Sequence, residues 1–359
     1  MSNPIFIARQ DTLEQEILPA HWPAQYKLFG EESYIFQDKE IWKKLCMSRA
    51  AANDRDMHAE ALEEMLTTFS AEHTGKWMLL IYGLDEAVLE GLATMAAIAA
   101  NGTAMAAVAG NALLMHAIAN SETAMQAISR SQTAMQRIAN STTAMDAISG
   151  SRIARGAVQA SPYYDATIKE NDMAIAKLVV GFANLESARY SGCAGMAADS
   201  TAMTAVAASS TAMTAVAASG VALKAIAQAY KKTANMLQFL KAVNASDTLV
   251  KRIYSTLTNA TALFGAAQLG SQDSVENANS WATTSAAPNA FLACACGYYG
   301  SSSDSVSVTY NGTVIAQKKT GTKQPGSVAS TNVNAITMAP STFTENGDGY
   351  LAVQKFTAK

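Results

Sequence analysis

A ten-residue repeat fills the middle of the chain, and it restricts the fold more than any other feature. One unit reads Ser121-Glu122-Thr123-Ala124-Met125-Gln126-Ala127-Ile128-Ser129-Arg130. The fifth position is Met95, Met105, Met115, Met125, Met135 and Met145, and the eighth is Ile98, Val108, Ile118, Ile128, Ile138 and Ile148. The eighth stays apolar through Val158, Ile168 and Leu178, while the fifth lapses at Arg155 and Asp165 and returns at Ile175. Near Asp199 the register slips by two, then resumes as Met203/Val206, Met213/Val216 and Leu223/Ile226. Self-similarity at a fixed period marks a repeat architecture.

Spacing decides what one unit becomes. Ala124, Met125, Ala127 and Ile128 share one face of a helix. Alanine and methionine favour helix. Ser121 or Thr123 can cap the front, and Gly110, Gly150 or asparagine at the seams suits a helix end. The apolar positions do not alternate, so a strand is excluded. One long helix also fails, because ten residues at about 100° each rotate the apolar stripe by roughly 80° per unit. The expectation over residues 91–228 is therefore a series of short helices, one per unit, broken at the Ser/Asn/Gly seams. Each is too short to stand alone and must stack on its neighbours. Methionine at helical spacing is a soft core residue, so the pattern reads as packing and not as chemistry.

Units such as Ser200-Thr201-Ala202-Met203-Thr204-Ala205-Val206-Ala207-Ala208-Ser209 resemble the repeats of tail-fibre and virion-appendage proteins of tailed bacteriophages. The resemblance covers roughly residues 91–228, under half of the chain, and its motif is low in complexity. It implies a structural, oligomeric role at the virion surface; the opening residues and the lack of a membrane-length apolar run add the expectation of synthesis in the host cytoplasm. It brings no catalytic residues.

At 359 residues the chain has room for several domains. A net charge of -3 leaves no electrostatic footprint for nucleic acid. No apolar run reaches the length of a membrane span, and Met1-Ser2-Asn3-Pro4 does not open a secretory signal. Cys46, Cys193, Cys294 and Cys296 lack the spacing of a zinc site, and Cys294 and Cys296 read as small buried residues of a strand. No phosphate loop and no Gly-x-Ser-x-Gly elbow occurs. The expectation is a protein that is not an enzyme and takes no cofactor or metal. The Asn-x-Ser/Thr sequons at Asn101, Asn140, Asn244, Asn259 and Asn311 follow from composition.

Three regions emerge, giving an α+β, multidomain chain. Residues 1–90 form a mostly helical attachment domain. They hold Trp22, Trp42 and Trp77, with helices expected over 38–48 and 54–70 and structural roles for His21, His58 and His73. Residues 91–270 form the helical shaft. Its pattern returns at Ser246–Ile253 and, for half a unit, at Asn259–Leu263. The helix-to-strand change is expected between 270 and 290, with 271–284 as a Ser/Asn/Thr-rich linker or first loop.

Residues 271–359 form an antiparallel β-sandwich. Strands are expected at 291–299, 305–310, 313–317, 333–338 and 350–356. Asn311-Gly312 is a hairpin turn, and residues 345–349 form another turn. Tyr298, Tyr299, Tyr310 and Tyr350 could stack on sugar rings, although packing of the domain explains them as well.

The function these features suggest is a structural virion protein, a tail fibre or appendage. It attaches through its N-terminal domain to other virion proteins and presents its C-terminal domain to a host surface glycan or protein. The alternative is a collar, neck or baseplate component whose β domain binds another virion protein. Ala124, Ala127 and the ninth-position Ala109, Ala119 and Ala139 suggest a second small-residue surface, closed by copies of the chain around an axis. Three copies is the number implied by the resemblance to fibres.

Overall fold

The computed structural model describes residues 84–92, 94–229, 231–264, 279–283, 290–298, 305–319, 333–338, 340–346 and 349–357. The helices and tryptophans expected before residue 84 lie outside these. Two compact units divide between Ile168 and Lys169.

The first unit is the regular array. After the short α1 (Glu86–Leu89) come α2 (Met95–Ala100), α3 (Gly102–Gly110), α4 (Ala112–Ala119), α5 (Glu122–Ser129), α6 (Gln132–Ala139), α7 (Thr142–Gly150), α8 (Arg152–Gln159) and the single turn α9 (Tyr164–Thr167). The helices follow the ten-residue units. Consecutive helices turn sharply, by 100° between α3 and α4. Each helix packs on the helix three units later: α2 on α5, α3 on α6, α4 on α7, α5 on α8 and α6 on α9. Three helices thus make one turn of a coil.

The first position of the unit makes this turn possible. Asn101 and Asn111 each close one helix and open the next. The side chain of Asn101 accepts the Ala104 N–H, as Ser131 and Ser141 accept those of Ala134 and Ala144. Its extended backbone turns the chain at a single residue, so no left-handed glycine is needed. Gly110 and Gly150 are simply the last helical residues. The cap is Ser121 and not Thr123.

Serine at this position has a further bond. Ser131, Ser141, Ser151 and Ser161 donate their hydroxyls to the carbonyls of Ala99, Ala109, Ala119 and Ser129, each 32 residues back. At Ser131, Ser141 and Ser151 one oxygen therefore caps its own helix and ties it to the turn before.

From Met105 to Ile148 the fourth, fifth and eighth positions of each unit are buried, as at Ala124, Met125 and Ile128, while further along Arg155 is half-buried and Asp165 exposed. The small-residue surface is also covered inside the chain. Ala109, Ala119 and Ala139 are at most 1% exposed, and Ala127 is half-buried. A second copy is not required to cover the ninth-position alanines, while Ala127 and its equivalents Ala97, Ala107, Ala147 and Ala157 keep part of their surface open.

The second unit opens with α10 (Asp172–Phe182), which overruns its repeat. Gly181 stands where a capping side chain is needed, so the helix continues. It ends at Asn184 (φ 57°), with the Leu185 N–H returning to the Val180 carbonyl. An irregular stretch with one 3-10 turn (Ser187–Arg189) follows, and this is where the register slips. The array resumes as α11 (Cys193–Ala198), α12 (Ser200–Ala208), α13 (Ser210–Ala218), α14 (Gly220–Gln228), α15 (Thr233–Asn244) and α16 (Asp247–Thr256). Again helices three apart pack together, α10 on α13 through α13 on α16.

Strand follows helix after one residue, Leu257. The change was expected between 270 and 290. In place of a further half-unit of helix, Thr258–Phe264 forms β1. Counted from Asn259, the eighth position is Ala266 and not Ile, Val or Leu, and pairing with a neighbouring strand prevails over propensity. The expected linker contains β2 (Asn279–Thr283). There follow β3 (Ala290–Tyr298), β4 (Ser305–Tyr310), β5 (Thr313–Lys319), β6 (Ala335–Met338), β7 (Ser341–Asn346) and β8 (Gly349–Thr357).

They make two four-stranded antiparallel sheets, ordered β1-β8-β3-β6 and β2-β7-β4-β5. The β4–β5 hairpin turns at Asn311 (φ 48°) and Gly312 (φ 75°), where both residues take positive φ. Strands β1, β2 and β7 were not anticipated. The described chain is mostly helical with a C-terminal region of two small antiparallel sheets.

Candidate functional site

The array and the sheets meet inside the second unit, and the contact is built from specific side chains. Helix α15 packs on β5 and β6, and α16 packs on β6. All four β6 residues, Ala335-Ile336-Thr337-Met338, are buried. A strand covered on both faces reads as a continuous apolar run.

Asn244, the last residue of α15, is the central contact. Its Nδ2 donates to the Ile336 carbonyl at 2.7 Å, and its Oδ1 accepts the Ile336 N–H at 2.9 Å. The side-chain amide thus satisfies the outer edge of β6 as a neighbouring strand would, and it blunts that edge. The same Nδ2 donates to the Leu240 carbonyl at 2.8 Å. With 3% exposure, this asparagine has no room for a glycan in the folded chain, despite its sequon.

Aromatic rings complete the junction. Phe239 and Phe291 lie 6.3 Å apart, and Tyr254 meets Phe356 edge-on at 4.9 Å. Tyr310 is 2% exposed, and its hydroxyl is hydrogen-bonded to the side chain of Thr233 at the start of α15. Burial pushes its phenol above the ordinary range, and the Thr233 bond pulls the other way. A ring so placed has no free face for a sugar. Tyr298 and Tyr350 come close in register, paired with Gly349 and Gly297 on β8 and β3. Tyr299 lies outside the described residues.

A second group of specific contacts holds the interrupted array. Lys177, 1% exposed, donates from Nζ to the Ser187 carbonyl at 3.0 Å. Asp172 accepts the Cys193 N–H at 3.0 Å. A Cβ on Gly192 would press on the Asp172 carboxylate, which would have to shift from its bond with the Cys193 N–H. The Tyr190 hydroxyl donates to Asp199 at 2.9 Å. That bond, more than any other cause, lowers the Asp199 carboxyl, while burial first and then Asp199 raise the phenol. Glu170 accepts the N–H groups of Gly220 and Val221 at 3.1 Å, closing the start of α14. Burial and the Asp172 charge push the Cys193 thiol far above its ordinary value. A neutral buried thiol is a poor nucleophile, and Cys294 is likewise free and buried.

Among the described residues, no cluster of three or more His, Cys, Asp or Glu side chains could hold a metal ion, and no single helix is long and apolar enough to cross a membrane. Asn244 was legible only as a sequon, and Thr233 and Lys177 carried no motif. Their partners are far away in sequence, 92 residues for Asn244. Compared with known proteins, the chain matches no family model and no curated protein.

Proposed function

We propose that the chain is a structural component of a bacteriophage virion, a tail fibre or related appendage, in which the helical coil carries a C-terminal β domain. The observation that carries this reading is the junction. One residue separates α16 from β1, and Asn244 fastens the helices to β6 by paired hydrogen bonds. Such a joint suits a rigid mount, whereas a mobile domain needs a flexible tether. The repeat array, packed through methionine, isoleucine and alanine, suits a scaffold.

In this reading the two sheets are the halves of one β-sandwich. Contacts between β4 and β6 and between β7 and β8 support it, as does the Thr337–Ser341 hydroxyl bond where the chain passes from one sheet to the other. Residues 1–90 attach to the particle, other copies of the chain complete the appendage, and the sandwich meets a host surface glycan or protein.

Electron microscopy of particles carrying a C-terminal tag, decorated with gold-labelled antibody, tests the proposal. Label at the free end of a fibre is expected. Label at the collar, neck or baseplate would instead assign the β domain to another virion protein. Particles without label would overturn the proposal.

A further inference from the structure

The tripeptide Asn-Gly-Thr stands at residues 101–103 and again at 311–313, and the fold holds the two copies in opposite ways. Asparagine followed by glycine carries a reaction of its own. The glycine nitrogen, unshielded by a side chain, can attack the asparagine Cγ and close a five-membered succinimide. In a folded chain this requires a side-chain amide that is free to swing and a following peptide N–H that is free to meet it.

At the first copy neither is free. Asn101 is the seam between α2 and α3, and its Oδ1 accepts the N–H groups of Thr103 and Ala104, both at 3.0 Å. Its own N–H donates to the Ile98 carbonyl at 3.0 Å, and its carbonyl accepts the Met105 N–H at 2.9 Å. Gly102 is the first residue of α3 and is half-buried. The Arg137 guanidinium lies against it, 3.2 Å from where a Cβ would stand. Cyclisation here would give up both cap bonds.

The second copy is the tip of the β4–β5 hairpin. Asn311 and Gly312 are both exposed. Among the described residues, no hydrogen-bond partner holds the Asn311 side-chain amide or the Gly312 N–H. Beyond its chain neighbours, Gly312 has nothing within 4 Å of where a Cβ would stand. A two-residue turn with positive φ at both positions favours asparagine and then glycine. The pair that suits the turn is therefore also the pair that can cyclise.

We infer that Asn311 is a site of spontaneous covalent modification, converted through a succinimide to aspartate and isoaspartate, while the cap protects Asn101. The Gly312 nitrogen loses its proton and bonds to Cγ, the Cγ–Nδ2 bond breaks, and ammonia leaves with the proton. Water then opens the ring. Breaking the new N–Cγ bond gives aspartate, and breaking the original peptide bond gives isoaspartate, whose main chain runs through Cγ. One water is consumed and one ammonia released, with no oxidant or reductant.

The isoaspartyl product adds a methylene to the main chain of a two-residue turn, beside the Tyr310–Thr313 pair. It also sits next to the bond from the Asn311 N–H to the Pro340 carbonyl, 3.1 Å, which ties this turn to the one between β6 and β7. Modification thus loosens one end of the β2-β7-β4-β5 sheet and adds a negative charge to its surface. This holds wherever on a particle the chain sits.

The test ages the full chain in mildly alkaline buffer, folded and, in parallel, unfolded in urea. The peptides that hold Asn101 and Asn311 are then followed by mass spectrometry with fragmentation that separates isoaspartate from aspartate. In the folded chain Asn311 should convert at least tenfold faster than Asn101, with isoaspartate among its products. In urea the two should convert at similar rates, because the tripeptide is the same. Equal rates in the folded chain would overturn the inference. So would conversion of Asn311 in urea alone, or aspartate without isoaspartate, which marks direct hydrolysis. Amide exchange at Tyr310 and Thr313 should quicken in the isoaspartyl form, and unchanged exchange would overturn the effect on the sheet.

Discussion

The regular array before Ile168 and the interrupted array after it use the same helix-on-third-helix packing but hold it differently. In the first, the tie between turns is repeated: a seam serine donates to a carbonyl 32 residues back, four times over. In the second, every tie is individual. Ser209 reaches Phe182 over 27 residues, Asn235 reaches Ala197 over 38, and Thr256 reaches Ala217 over 39. Lys177 and Glu170 add contacts that occur once. Where the period is kept, a short hydroxyl suffices and the units are interchangeable. Where the period breaks, hydroxyls at Ser209 and Thr256 reach carbonyls at other separations, Asn235, Lys177 and Glu170 add longer reaches, and each position becomes specific.

Substitutions can break or sharpen this contrast. The largest effect is expected from Ile128→Asp, which strands a carboxylate in the dry core of the coil. It should cost on the order of 3–5 kcal/mol in chemical denaturation. A loss below about 1 kcal/mol would mean that the interior is wet.

Next comes Asn244→Ala at the junction, which leaves the Ile336 N–H and carbonyl unpaired. It should cost about 2–4 kcal/mol and speed amide exchange at Ile336 before the regular array opens. Uniform loss of protection along both arrays would contradict the local character of the joint.

Ser141→Ala removes a cap and one tie to the previous turn, at about 1–2 kcal/mol. Ser131→Ala and Ser151→Ala should match it closely in the same melting experiment. Unequal values would deny that the units are interchangeable.

Cys193 yields a pH effect confined to the second unit. Its folded thiol titrates far above its unfolded value, so the folded chain holds a proton that the unfolded chain releases. The contribution is fully present below about pH 8.5, the ordinary thiol value, and is lost progressively as pH rises above it. Cys193→Ala should flatten that part of the stability profile, while an unchanged slope would remove the assignment. Smallest of all is Gln126→Asp at an exposed sixth position, expected within about 0.5 kcal/mol of the parent by thermal melting.

Local regularities were readable in the sequence, and distant contacts were not. The spacing of Met125 and Ile128 required short stacked helices, and Asn311-Gly312 required a hairpin. Nothing in one unit states that its partner is the third unit along, because Ser131 looks the same whether its hydroxyl bonds locally or to Ala99. Strand β1 was hidden because Asn259–Leu263 copies the front of a helical unit, and its fate depends on Gln354 and Lys355 across the sheet. Strand β2 was hidden by its Ser/Asn/Thr-rich surroundings. The junction was invisible because a buried asparagine that edges a strand has the same letter as one at a helix seam.

The central claim is that the array closes its core on itself, three units per turn, within one chain. Photo-crosslinking from a benzophenone side chain placed at Gln126 tests it most directly, using mixed light and heavy isotope-labelled protein and mass spectrometry. The expected adducts are intramolecular and fall in α2 and α8, three units before and after. Adducts that join light to heavy chains, with none between units three apart, would contradict the account.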